Sequence, residues 1–401
     1  MPATFRGGVI VVPTRMLVSL TVLIISVIAV AVPAVAADAP AAIVTVEPPH
    51  DRVLSGQFEG RVGREIRANF GFGPIAYSIS HKYRFFQDDP DHYEMGEGYL
   101  GMPSPCSCNW YHSGFFFIRI NGSEMPLPAS SVMAVESGER AIMDVVWHHD
   151  AADVRARFFG LPGENWLGCE VTIDPTAPIE QLSVNLRCYP SFFTSHYKRA
   201  GARRIQTPST LVVEGTPAEG TLADNWWGVY YDEVFDVAKG EGEGPCAMLV
   251  LPVEGASVKF DPGDYAVGTT IDVPADTRTL RFAFWDFKGF TNEDALANVR
   301  GQANEVRATL ESVDLTPKAL AEFDLAAVRE SLATAMQSEE TREALGDRID
   351  EIQQWMDETA PELEQTDGPP SVAAQEDLLR SIDEYNSFKW QVQLTELLNG
   401  L

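Results

Sequence analysis

The stretch "LGCEVTID" (167–174) followed at once by "PTAPIEQ" (175–181) and "LSVNLRC" (182–188) decides the fold class. Side chains on a strand alternate between its two faces. Leu167, Cys169, Val171 and Ile173 therefore share one face, with Gly168, Glu170, Thr172 and Asp174 on the other. Leu182, Val184, Leu186 and Cys188 repeat the pattern. The intervening segment carries Pro175 and Pro178 and continues neither strand. An antiparallel hairpin with a long loop is the expected arrangement.

The same texture extends from Ala42 to about Phe287, as short alternating apolar runs separated by Gly, Pro, Asn and Asp. Strands are expected over 114–121, 132–135, 141–147, 154–159, 210–213, 226–231, 247–253 and 280–285. Asn121-Gly122 and Ser137-Gly138 suit tight reversals. Many half-apolar strands bury their faces only by stacking, and no long helical period interrupts them. The fold class is therefore mainly β, an antiparallel multi-stranded sandwich rather than a parallel α/β sheet.

Near Thr291 the period changes. Thr291 and Asp294 form a capping-box pattern, and Leu296, Val299, Ala303, Val306, Leu310 and Val313 trace one stripe of a helix. Further helix starts are expected at Thr316-Pro317, at Ser338 and at Ser371 after "DGPP". Residues 291–401 hold 24 acidic and 8 basic side chains and form an acidic α-helical C-terminal segment. At the other end, Arg6 and Arg15, an apolar run over 16–32 and Ala34-Val35-Ala36 read as a signal peptide. The expected organisation is a signal peptide (1–36), a β-sandwich (37–290) and a helical segment (291–401). The expected location is secreted or periplasmic, at the cell envelope, with no stable membrane anchor after cleavage.

A net charge of −28 opposes binding to nucleic acid phosphates, which requires clustered Lys and Arg. No nucleophile elbow, phosphate-binding glycine loop or other cofactor motif occurs, so no cofactor is expected and no catalytic residue can be named. Five cysteines in an exported chain lean toward disulfides. The hairpin reading places Cys169 and Cys188 on one side, and Cys106 or Cys108 is the natural partner for Cys246; reduced core cysteines are the alternative. Cys106, Cys108 and His112 match no zinc spacing well, and no metal site is expected.

Aromatic residues cluster with polar ones at "NWYH" (109–112) and "DNWWGVYYDE" (224–233). Sugar rings stack on aromatic faces while polar groups take their hydroxyls. The candidate ligand-binding residues are therefore Trp110, Tyr111, His112, Asp224, Trp227 and Tyr231, with His148 added because it stands beside Asp150 and Asp153 as a possible base.

The run "NWLGCEVTIDPTAPIEQLSVNLRCYPSFF", followed by "DNWWGVYYDE" and "PCAMLVLPVEG", resembles the galactose mutarotase-like super-sandwich of aldose epimerases and of accessory domains in carbohydrate-active enzymes. The resemblance covers about residues 42–288. It implies a carbohydrate ligand on a concave sheet face; the catalytic histidine signature of the epimerases is absent, so no catalytic role carries over. Two functions are thus expected alternatives: a carbohydrate-binding or carbohydrate-processing sandwich, or a non-catalytic envelope or assembly protein that docks a protein partner through its acidic tail.

Overall fold

In the computed structural model, residues 41–94, 100–192, 199–263, 265–364 and 369–399 are described. The signal-peptide stretch lies outside them. The described strands form two sheets, antiparallel throughout. A twelve-stranded sheet runs, in spatial order, Ile43–Val46, Arg61–Gly71, Tyr77–Phe86, Leu100–Ser104, Phe116–Ile120, Leu182–Cys188, Val267–Val273, Ser257–Pro262 and Ala218–Thr221, with three short strands off this path. A nine-stranded sheet runs Leu211–Val213, Arg203–Gln206, Trp227–Asp232, Cys246–Val250, Thr279–Asp286, Leu167–Pro175, Ala152–Gly160, Ala141–His149 and Ser131–Glu136.

One expectation is overturned. The strands Leu167–Pro175 and Leu182–Cys188 do not pair; the first lies between Ala152–Gly160 and Thr279–Asp286, the second between Phe116–Ile120 and Val267–Val273. The proline-bearing connection crosses from one sheet to the other. Leu167, Cys169, Val171 and Ile173 meet Leu182, Val184, Leu186 and Cys188 in one core, but from opposite walls. Periodicity identifies the buried face of each strand and is silent about its neighbour.

The disulfide expectations go with the hairpin. All five cysteines are free thiols. Cys169 and Cys188 stand on different sheets, so no cross-strand register joins them. The thiol hydrogen-bonded to Cys246 is that of Cys188; burial pushes the Cys246 thiol well up, and Cys188 adds to the shift ahead of Asp286 and Cys106. Burial likewise pushes Cys106 up to about 12 and Cys108 up to about 11, which suppresses the thiolate that exchange needs. Among the described residues no group of three or more His, Cys, Asp or Glu stands ready for a metal.

The helices are α1 (Asn292–Ser312), α2 (Lys318–Ala321), α3 (Leu325–Gln337), α4 (Glu339–Glu358), α5 (Ala360–Leu363) and α6 (Val372–Asn399). Thr291, Ser338 and Ser371 cap α1, α4 and α6 by accepting from the N–H groups of Asp294, Thr341 and Ala374. Asp324, which the sequence reading does not single out, caps α3 in the same way. Ala295, Val299, Ala303, Val306 and Leu310 lay α1 across the outer face of the nine-stranded sheet, against Trp227, Val229, Leu249, Ala283 and Trp285. Helices α3 to α6 add a cluster of their own around Leu332, Ile352, Trp355, Tyr385 and Phe388. The helical segment is thus part of the compact unit that contains the sandwich, not a detached appendage. No described helix is long and apolar enough to cross a membrane.

Candidate functional site

With α1 and the bundle covering the nine-stranded sheet, the uncovered outer face belongs to the twelve-stranded one. Its strand Leu182–Cys188 alternates buried and half-buried residues, as a sheet with one wet face does. In the strand Arg61–Gly71, Glu65 and Arg67 stand opposite Lys82 and Ser80, and Gly63 stands opposite Arg84. On the other side His50 and Arg52 stand opposite Glu65 and Gly63. Residues opposite one another in an antiparallel pair share a face. His50, Arg52, Glu65, Arg67, Lys82 and Arg84 therefore project together.

They line a cavity of about 580 Å³, with His112 and Ser113 also on its wall. Five of its lining residues are Arg or Lys and only Glu65 is acidic. Glu65 is shared by Arg67 at 2.7 Å and Lys82 at 3.7 Å. Arg84 lies over the Phe58 ring at 4.1 Å, which gives the cavity an aromatic wall. In a chain of net charge −28, such a local excess of cations is an electrostatic attractor for an anionic group.

His112 reaches this face because Gly101 lets its loop lie flat on the sheet. A β-carbon at Gly101 would stand 1.8 Å from the His112 carbonyl oxygen. Nδ1 of His112 lies 3.0 Å from the Ser107 carbonyl, which accepts from it and so fixes the proton of the neutral ring on Nδ1. Beside His112 the rings of Tyr111, Tyr189 and Tyr265 follow one another at centroid separations of 4.8 and 5.1 Å. Tyr265 is exposed, so this tyrosine ledge ends in solvent. Tyr189 is buried, so Tyr111 and Tyr265 are the rings of this row with surface to offer, and His112, which lies edge-on to Tyr111 at 4.8 Å, joins the row to the cavity.

Of the residues singled out from sequence, Tyr111 and His112 are brought together here and the others are not. Trp110 has no exposed surface: Nε1 donates to the Trp285 carbonyl at 2.9 Å and the ring packs edge-on against Phe284 and Tyr230. It closes the core and presents nothing to a ligand. Trp227 and Tyr231 are buried in the second core cluster under α1. Trp226, its neighbour, is half-buried beneath the Arg307 guanidinium. Asp224 is exposed in a turn, where Oδ2 accepts from the Thr221 hydroxyl at 2.7 Å. His148 stands between Asp153 at 2.7 Å and Glu376 at 3.2 Å, fastening α6 to the sheet. The two aromatic clusters of the sequence therefore do not share one cleft. The residues that make the cavity, His50, Arg52, Arg67, Lys82 and Arg84, are not among the sequence candidates. The alternation in "RVGREIRANF" (61–70) and "YSISHKYRFF" (77–86) marks the strands; which cations converge depends on register.

No protein-family model matches the sequence, and a search of curated proteins finds no match. Solved structures do show likeness. A GH36 alpha-galactosidase from Geobacillus stearothermophilus is 9% identical with a TM-score of 0.34, over 56% of this chain and 40% of that one. An alpha-N-acetylgalactosaminidase from Bifidobacterium bifidum is 11% identical with a TM-score of 0.35, over 71% of this chain and 42% of that one. A putative aldose 1-epimerase from Klebsiella pneumoniae is 11% identical with a TM-score of 0.29, over 67% of this chain and 90% of that one. The matched regions thus cover about two fifths of either glycosidase. The two-sheet architecture rests on this chain's own strand pairing.

Proposed function

We propose that the protein is an exported carbohydrate-binding sandwich whose ligand lies across the open face of the twelve-stranded sheet, with an acidic sugar unit over the cationic cavity. The observation that carries this reading is the meeting, at His112, of a cavity lined by five cations with a row of three tyrosines. Aromatic planes suit the C–H faces of sugars and guanidinium forks suit carboxylates or sulfates. Catalysis is not part of the reading. A glycan array containing neutral, uronate-bearing and sulfated oligosaccharides tests it. Binding restricted to acidic glycans and weakened at least fivefold in Arg52→Gln is the expected result; a wild type that binds no glycan sinks the proposal.

One observation favours the second reading, a non-catalytic assembly role. On the last turns of α6 Trp390 is 69% exposed, and Leu394, Leu397 and Leu398 are each more than half exposed. Their spacing puts them on one helix face. Because the surrounding segment is strongly acidic, the fitting partner is a protein with an apolar groove rimmed by basic residues. Crosslinking of wild type and Trp390→Asp in envelope extracts checks this; identical crosslink patterns would exclude the helix face as a docking surface.

A further inference from the structure

The outer face of the nine-stranded sheet carries a second arginine cluster, remote in sequence from the cavity just described and built differently. Its first cross-strand row reads Arg281, Glu170, Arg157, Asp144 over four adjacent strands. The signs alternate and the charges match. Asp144 holds the Arg157 guanidinium through two bonds of 2.7 and 2.6 Å, and the third nitrogen donates to the Leu315 carbonyl at 2.7 Å. Glu170 accepts from Arg281 at 2.7 Å, and the Leu310 and Val313 carbonyls accept from the same guanidinium.

Two residues further along the strands, the next row reads Val146, Arg155, Thr172, Thr279. It contains no acid. Arg155 is only 6% exposed, yet its close partners are neutral, the Gln375 amide oxygen at 2.7 Å and the Thr172 hydroxyl at 3.0 Å. The nearest carboxylate oxygen among the described residues, on Glu170, is 3.9 Å away, beyond hydrogen-bond reach, and Nε has no hydrogen-bond partner among them. Burial, together with the charge of Arg157, lowers Arg155 to about 10. A buried cation without a matched anion is disfavoured, and proteins normally pair such groups.

This side chain lines a cavity of about 640 Å³ at the seam between the sheet and the helical segment. Arg278 stands exposed on the same cavity and donates only to backbone carbonyls, those of Ala275 and Thr277 at 3.3 Å. From the other side come Ser371 and Val372, the start of the 28-residue helix α6, whose N-terminal N–H groups favour negative charge. The acids that line the cavity are already engaged. Glu170 serves Arg281, Asp174 accepts from the Val372 N–H at 3.1 Å, and Asp314 accepts from the Thr316 N–H at 2.9 Å.

We infer that this cavity is a binding site for a tetrahedral oxyanion, a phosphate or sulfate group, held between the Arg155 and Arg278 guanidiniums at the N-terminus of α6. The anion supplies the charge that the second row lacks. Because Arg155 donates to Gln375 of α6 and Arg157 to Leu315, occupancy also tightens the helical segment onto the sheet. The group can arrive as a free ion or on a phosphorylated or sulfated sugar, and the open side of the cavity leaves room for either.

Thermal unfolding and titration calorimetry of the full chain test the site, with inorganic phosphate, inorganic sulfate and glucose 6-phosphate as probes and sodium chloride matching ionic strength. The expected result is saturable binding and a midpoint that rises with each oxyanion but not with chloride. A preference for glucose 6-phosphate over both inorganic ions by tenfold or more assigns the natural ligand to the phosphosugar class; equal affinity assigns it to the free ion. Arg278→Gln, an exposed change, should leave the midpoint without ligand unmoved and weaken binding at least tenfold. Arg155→Met should raise the midpoint without ligand, since it removes an unmatched buried charge, and abolish the response. Arg52→Gln, in the open-face cavity, should leave the midpoint and the affinity for inorganic phosphate unchanged, whatever it does to sugar-bearing ligands. Overturning results are a chloride response equal to that of phosphate, an undiminished affinity in Arg278→Gln, or an affinity for inorganic phosphate lost in Arg52→Gln instead.

Discussion

The nine-stranded sheet turns its outer face toward α1 and the helical bundle, whereas the twelve-stranded sheet turns its own toward solvent. Both faces carry arginines, and the same residue type does different work on each. Under the helices, Arg157 and Asp144 are almost wholly buried and each depends on the other. On the open face, the Arg67 and Glu65 side chains pair at 2.7 Å and are 37% and 23% exposed, so water reaches both partners. The lesson is that a cation's meaning is set by its cover. Where a covered arginine has its acid beside it, as Arg157 has, it is a structural cross-link; where it lacks that acid, as Arg155 does, or stands exposed, it is available to a ligand.

Breaking one ion pair on each face is the sharpest test of that contrast. Asp144→Ala strands the Arg157 guanidinium in the protein interior and should cost about 3 to 5 kcal/mol in urea unfolding. The counterpart Glu65→Ala should cost less than about 1 kcal/mol. Equal costs would mean that the helices do not exclude water from the covered face.

Between the sheets lies a group with a pH signature. Asp286 is fully buried; burial pushes its carboxyl from 3.8 up to about 7, although Asn109 Nδ2 and the N–H groups of Cys106 and Lys288 donate to it. Its folded pKa lies above its unfolded one, so its contribution favours folding below about pH 4 and is lost as the pH rises to 7. The loss is about 1.4 kcal/mol per pH unit across that window at most. Asp286→Asn should lack this fall, so that the difference between the wild-type and variant stability profiles displays it, and parallel profiles would show that the carboxyl titrates normally.

Smaller effects are expected where the open face is built. Gly101→Ala forces its β-carbon against the His112 backbone, and a shift of that loop should cost about 1 to 3 kcal/mol and disturb glycan binding. Arg52→Gln should change stability by no more than about 0.5 kcal/mol, because the side chain is exposed and makes no ion pair among the described residues, while weakening binding to acidic glycans. A glycan affinity lowered by Arg52→Gln but not by Gly101→Ala would move the ligand away from His112.

Much of the strand content and the helix starts at Thr291, Ser338 and Ser371 were legible in the chain, because alternation, stripes and caps are local patterns. The candidate site was legible only in Tyr111 and His112. Trp110 and Trp227 matched the composition of a sugar platform equally well, yet one closes the central core and the other underlies α1. The cationic cavity escaped because its residues come from three strands and a loop, spread over residues 50–113.

The amino-acid sequence by itself determined which faces are apolar, where strands give way to helices and how acidic the whole surface is, since each of these is carried by neighbours within a few positions. Pairing was decided only by tertiary structure. Whether Leu182–Cys188 lies beside Leu167–Pro175 or across the core from it, whether Cys188 meets Cys169 or Cys246, and which arginines are covered all depend on how two sheets and six helices share one interior. The physical reason is that burial is a property of the assembled layers: an alternating strand specifies a face to be hidden, and only the packed molecule specifies what hides it.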